Sequence, residues 1–343
     1  MTIRNSLPSL AVATLAIAGF AAPAAADAVA DFYKGKTITV VVAAGPGGGH
    51  TKYTQYLAPY LEKYIPGGPT VIVQNMGGAG GTKAANFLYT RGRKDGTMIG
   101  ILLSDTPMAS RLRTTGVKYV ANQFQFLGGA DQPRSAFVVY KSTGITSIDD
   151  AKKNQVILGS TGKGSQTYVV PTLVNSMLGT KFKVITGYRG MGGIYLAMDK
   201  AEVKGFQSSW SGMKIARPHW IEKMNVIAVN AHTPLTDRPD VPLLKDLVTD
   251  PNDKKVAELM AGNMILGRGG LAPPGVPADR VAALRMAFEK SFADSKAMAG
   301  AKQRKMTWES AKWQDMQAAA ERITNVDQAI IDRMQAALGL KGK

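Results

Sequence analysis

The sequence predicts an α/β fold built as two similar lobes. Three observations predict it: a strand that runs through a glycine-rich turn into a helix, the recurrence of that unit in two blocks, and a helical tail. The unit is clearest from Lys36 to Thr51. Thr37 to Val42 is β-branched, as a strand covered on both faces requires. Gly45, Gly47, Gly48 and Gly49 follow, with Pro46 among them. Tyr53, Tyr56, Leu57, Tyr60, Leu61 and Tyr64 then recur at helical spacings.

The first block continues with a short strand at Val71–Val73 and a second glycine-rich turn from Gln74 to Gly81. A helix opens at Ala84 and stops near Gly92; Thr97–Leu103 is a third strand, ending in Ser104-Asp105-Thr106-Pro107. In an open α/β sheet such strand ends converge on the ligand crevice. The pattern changes near Asp131–Ser135, and the second block opens with a strand at Ala136–Tyr140. Ser147–Asp150 reads as a capped, acidic helix start. Strands at Val156–Leu158, Lys183–Ile185 and Val203–Phe206 run into Gly159–Ser165, Gly187–Gly193 and Ser208–Gly212. Helices at Tyr168–Met177 and Ile194–Lys200 lie between them, and Val226–Val229 is a last strand. Repetition in two blocks favours two lobes over one extended sheet. In the tail, Val281, Leu284, Phe288 and Phe292 share one helical face, and Trp313 to Met334 repeats at three and four along a single final helix. Both stripes are core faces.

The N-terminus reads as a secretory signal. Arg4 precedes an apolar run from Leu10 to Phe20, and Ala24-Ala25-Ala26 offers a cleavage site before Asp27. Cleavage after Ala26 leaves a mature chain long enough for two domains. Among the 343 residues there is no cysteine, which excludes disulfides and thiolate metal sites. The net charge of +17 comes from scattered clusters such as Arg91, Arg93 and Lys94, with no interleaved aromatics or basic arm. A nucleic-acid footprint is not supported; a diffuse positive field would speed anion capture.

The glycine turn is the candidate site. Without side chains, N–H groups at the following helix start can approach an anion closely. A plain tight turn is the competing reading, although such short loops rarely carry four glycines. Gly45-x-Gly47 opens a dinucleotide-binding fingerprint, but its last position is His50, and no Gly-Lys-Ser/Thr closes a phosphate loop. His50, His219 and His232 show no metal-binding spacing, and no G-x-S-x-G elbow occurs. No cofactor is expected. A secreted α/β hydrolase using Ser165 or Ser209 with His50 remains the alternative from another class.

Together the loops resemble the Bug family, the periplasmic solute receptors of tripartite tricarboxylate transporters. Ala44–Gly49 is similar to the family's APGGG loop, Gln74–Gly81 to its ENRPGAGG turn, and Lys94–Thr97 to PDGYT. Ser160–Ser165 resembles SxGxGS and Gly187–Gly190 resembles PYKG. Arg238–Pro242 matches RPDVP, and Leu271–Pro277 is close to APAGTP. The resemblance implies a periplasmic-binding-protein fold, with lobe I near 36–135 and 240–343, lobe II at 136–239, and crossing strands near Ala136–Tyr140 and Val226–Val229. It implies a monomeric, non-enzymatic receptor that carries an organic carboxylate to membrane permease subunits. The carboxylate, a di- or tricarboxylate or an aromatic carboxylate, would be held largely by backbone N–H groups.

Residue by residue, the resemblance and the glycine reading place Gly47, Gly48, Gly49, His50 and Thr51 at the ligand from the first turn. Asn75, Gly78, Ala79 and Ser104 follow from the next two turns. Gly164, Ser165, Gln166, Tyr188, Arg189, Ser209 and Trp210 come from the second lobe. Three departures bear on this set: His50-Thr51 stands where many members have Asp, Met76-Gly77 replaces Arg-Pro, and Ser208-Ser209-Trp210-Ser211 stands where others have a short acidic strand end. Trp210 either forms an aromatic wall of the cleft or packs in the hinge.

Overall fold

A computed structural model describes residues 22–340 apart from 114, 130 and 131. The expected signal peptide falls largely in residues 1–21, outside the described residues. The first block runs α1 (Ala22–Tyr33), β1 (Thr37–Val42), α2 (Gly49–Tyr64), β2 (Thr70–Asn75), α3 (Thr82–Arg91), β3 (Met98–Ile101), α4 (Thr106–Leu112) and β4 (Gln125–Gly129). The second runs β5 (Ser135–Tyr140), α5 (Ile148–Lys153), β6 (Val156–Gly159), α6 (Gln166–Leu178), β7 (Phe182–Ile185), α7 (Gly190–Asp199), β8 (Gly205–Ser209), α8 (Trp210–Ala216) and β9 (Met224–Asn230). The tail adds α9 (Leu244–Leu247), α10 (Pro251–Gly262), β10 (Gly269–Ala272), α11 (Ala278–Ala293), α12 (Ser295–Gln303), α13 (Trp313–Thr324) and α14 (Gln328–Ala337).

Two five-stranded sheets share one plan, β2-β1-β3-β10-β4 and β7-β6-β8-β5-β9. In each, the fourth strand in line, β10 or β5, is antiparallel to its neighbours. That strand is the one that enters from the other lobe: the chain crosses between Gly129 and Ser135 and returns between Asn230 and Gly269. The expected crossing strands at 136–140 and 226–229 are thus β5 and β9, paired within the second sheet, and the crossings adjoin them. Ser135 lies beside Ser209 at the carboxyl end of β8, and Gly270 beside Ile101 at that of β3. Both crossings therefore open on the side where the glycine loops gather.

Side-chain alternation along β1 explains why it is β-branched throughout. Val40 and Val42 pack toward Leu57, Leu61, Leu284 and Phe288, while Val41 faces Ala84, Ala85 and Leu88. Helices on both faces bury every position of β1 after Thr37, each isoleucine or valine side chain contributing about 1.5–3 kcal/mol.

Two sequence expectations shift. The strand placed at Val203–Phe206 is β8, running to Ser209, because the ladder to β5 satisfies the backbone of its serines. The single last helix is two, α13 and α14. Asp327 caps α14 by accepting from Ala329 N–H at 3.1 Å, and Arg111 donates to the carbonyls of Thr324 and Val326 in the break.

Candidate interlobe ligand cleft

The turns after β1, β2 and β3 face those after β6, β7 and β8 across a cleft of about 500 Å³. Its first wall is the start of α2. Thr51 Oγ1 donates to Gly45 O at 3.1 Å, and Asn75 Nδ2 donates to Ala44 O at 2.9 Å and to Thr51 Oγ1 at 2.6 Å. These bonds hold the turn by its carbonyls and leave N–H groups of the first helical turn for another acceptor. Gly48 is the N-cap with φ −84° and ψ 168°, an ordinary extended geometry that does not itself demand glycine.

The second lobe winds its loop around one hydroxyl. Thr167 Oγ1 lies 2.9 Å from Ser160 Oγ and 2.6 Å from Ser165 Oγ, and accepts from Thr161 N–H at 3.1 Å. The Gln166 N–H that opens α6 donates to Asp105 Oδ2 of the first lobe at 2.8 Å. Two further close approaches between the lobes are backbone to backbone. A Cβ on Gly80, where φ is +60°, would lie 2.6 Å from the carbonyl carbon of Gly164, and one on Gly45 would lie 3.3 Å from Arg189 O.

A buried cation stands behind the first wall. Arg268, on the returning crossing just before β10, donates from Nη2 to Ser209 Oγ at 3.0 Å and lies 4.0 Å from the Tyr53 ring centroid. Its guanidinium comes so close to the α2 start that a Cβ on Gly49 would be 2.8 Å from Nη2. Beside it, burial and then the Arg268 charge hold the His50 imidazole down to about 3. Near neutral pH the wall thus carries a neutral histidine backed by a positive charge. Sequence reading missed Arg268; the only signal was an arginine between glycines, Gly267-Arg268-Gly269, at the start of an apolar strand.

Of the residues singled out from sequence, Gly48, Gly49, His50, Gly78, Ser165, Gln166, Tyr188 and Arg189 line the cleft. Gly47, Thr51, Asn75, Ala79, Ser104, Gly164, Ser209 and Trp210 are not among its lining residues. Thr51 and Asn75 brace the turn, and Ser209 caps α8 through Gly212 N–H at 3.1 Å while holding Arg268. Trp210 is 3% exposed, packs in the core of the second lobe, and gives its indole N–H to Asp237 at 3.0 Å. Tyr188 does line the cleft.

The arrangement suits anion capture and not hydrolysis. Ser165 Oγ donates to Gly162 O at 2.9 Å, and Ser209 Oγ is engaged by Arg268. His50 Nε2 has no hydrogen-bond partner among the described residues, and an imidazole held near 3 is a poor general base at neutral pH. No group of acidic, histidine or cysteine side chains among the described residues could hold a metal ion.

No family model and no curated protein matches the sequence. Solved structures do match it. The periplasmic binding protein BugD is similar at a TM-score of 0.71, with 20% identity over 90% of this chain and 99% of its own. A chain from R. palustris solved with adipate gives 0.68, with 18% identity over 89% and 97%. MatC from Rhodopseudomonas palustris, solved with bound malate, gives 0.66, with 19% identity over 88% and 99%. The chain shares the two-lobed fold of BugD and these solved neighbours.

Proposed function

We propose that this chain is a Bug-type solute receptor, which captures an organic carboxylate between its lobes and delivers it to a tripartite tricarboxylate permease. The observation that carries the reading is the α2 start, with Gly48 and Gly49 lining the cleft and the Arg268 guanidinium directly behind them. Helix-start N–H groups and a buried positive charge favour the same ligand, a carboxylate. Solved relatives of the fold with adipate and malate agree in ligand class. The lobes divide near 36–135 with 240–343 and at 136–239. In this reading the protein is exported, cut after Ala26, and acts as a periplasmic monomer. No helix among the described residues is long and apolar enough to cross a membrane.

A thermal-shift screen over mono-, di- and tricarboxylates and aromatic acids tests the reading, followed by calorimetry on any hit. A receptor raises its melting temperature with one class and returns that compound unchanged. Failure of every carboxylate to shift the melt would remove the proposal, and turnover of a hit would favour an enzyme.

A further inference from the structure

Beyond the Asp105–Gln166 contact lies a second chamber of about 320 Å³, within the range of small-molecule sites. Its apolar lining includes Met108, Leu112, Met260, Met264, Met334 and Leu338. Of the polar side chains that line it, three are buried: Asp105, 7% exposed, Asn230, 1%, and Asn263, 4%. The Oδ1 atom of each is buried with no hydrogen-bond partner among the described residues. A chain of contacts draws them together. Ser135 Oγ bonds Gln166 Oε1 at 3.2 Å and lies 3.4 Å from Met264 Sδ, Ser135 pairs with Asn230 in the ladder, and Gln166 N–H holds Asp105. Buried acceptors are almost always satisfied, so three orphans around one chamber call for a donor.

We propose that this chamber is a second binding site, taking a primary ammonium whose three N–H groups meet Asp105, Asn230 and Asn263 and whose short carbon chain lies among the methionines. An ammonium has three donors and no acceptor, matching three acceptors of which one is a carboxylate. Methionine linings adapt to flexible aliphatic chains. Arg113 and Lys163 also border the chamber, so the same head group on an apolar amino acid would find partners for its carboxylate. The inference does not rest on the glycine cleft holding a carboxylate.

Calorimetry with isoamylamine and with leucine, against isoamyl alcohol and isocaproate as analogues lacking the ammonium, tests it. At least one amine should bind at least tenfold more tightly than its ammonium-free analogue. Leucine binding better than isoamylamine would assign the carboxylate to Arg113 and Lys163; the reverse order would assign a simple amine. Asp105→Asn should weaken the amine tenfold or more, and Asn263→Leu, which removes one acceptor and no charge, several-fold. Gly48→Val adds its side chain in the glycine cleft and not in the chamber, so retained amine binding in that variant locates the ligand. No binding by either amine, equal binding of an ammonium-free analogue, or loss of amine binding in Gly48→Val would overturn the proposal.

Discussion

Asp105 accepts the backbone N–H of Gln166 at 2.8 Å, so a carboxylate of the first lobe sits at the helix start of the second. The two helix starts that face each other are therefore not equivalent. The protein's own carboxylate takes up the α6 end, and the α2 end is left for a ligand. The contact also bridges the lobes, and its strength depends on the charge of Asp105.

That charge sets a pH dependence. Burial pushes the Asp105 carboxyl up to about 7, against the pull of Gln166 N–H and Arg113; Tyr119 also feels its charge, and Lys163 lines the same chamber. The unfolded chain releases this proton near 3.8, so folding binds a proton between those values. This contribution to stability falls as pH rises from about 4 to 7 and is level above. Asp105→Asn keeps an oxygen for Gln166 and removes the charge. Melts should show the variant no more stable at pH 4.5 but more stable at pH 8, by at most roughly 4 kcal/mol. A gap that does not change with pH would contradict the assignment.

Gly80 tests closure. Its positive φ disfavours a side chain, and a Cβ would meet the Gly164 backbone at 2.6 Å. Neither backbone can yield as a flexible side chain would. Gly80→Ala should hold the lobes apart, giving a larger radius of gyration by small-angle scattering and no compaction with ligand. A radius equal to that of the unaltered protein, with and without ligand, would show that the close contact does not limit closure.

Much of the fold was legible because β-branched strands, glycine turns and helical spacings are local signals. Thr37–Val42, Ala136–Tyr140 and the apolar face of α11 lie where the sequence put them, within a residue or so. The sheet plan was less legible, since the place of β10 between β3 and β4 depends on a return from the other lobe and leaves only a four-residue strand, Gly269–Ala272. The glycine loops pointed to the cleft, but not to the division of labour within it. That Thr51 and Asn75 brace the turn while Gly48 and Gly49 line the space depends on hydrogen bonds across 24 to 31 residues. Asp105 reads as part of the polar end of the third strand, and nothing local shows that its partner is Gln166. Arg268 is invisible for the same reason: its neighbours Tyr53 and Ser209 come from opposite lobes.

Arg268 offers a direct electrostatic test. The buried guanidinium lowers the neighbouring His50 and stands behind the α2 start. Arg268→Met keeps much of the volume and removes the charge. Carboxylate binding should weaken by about tenfold or more, roughly 1.4 kcal/mol, and the His50 imidazole should titrate at a higher pH by NMR. A variant that binds as before, with His50 moved upward, would show that the charge does not reach the ligand.

The cradle itself is tested at Gly48. Its φ of −84° accepts any residue, and a Cβ there meets nothing closer than 3.9 Å, so the added branch point neither strains the turn nor strikes the protein. The side chain would instead occupy the cleft that Gly48 lines, where a carboxylate would approach the N–H groups of the α2 start. Gly48→Val should therefore fold with an unchanged melting temperature and lose ligand. Two backbone hydrogen bonds to a charged group, at roughly 1.5–3 kcal/mol each, correspond to a loss of more than a hundredfold in affinity. Ser165→Ala should cost much less, because the Ser165 hydroxyl is committed to Gly162 O and Thr167 and leaves the helix-start amides of the first lobe in place. Calorimetry on the two variants separates the contributions, and a folded Gly48→Val protein with undiminished affinity would place the carboxylate away from the α2 start.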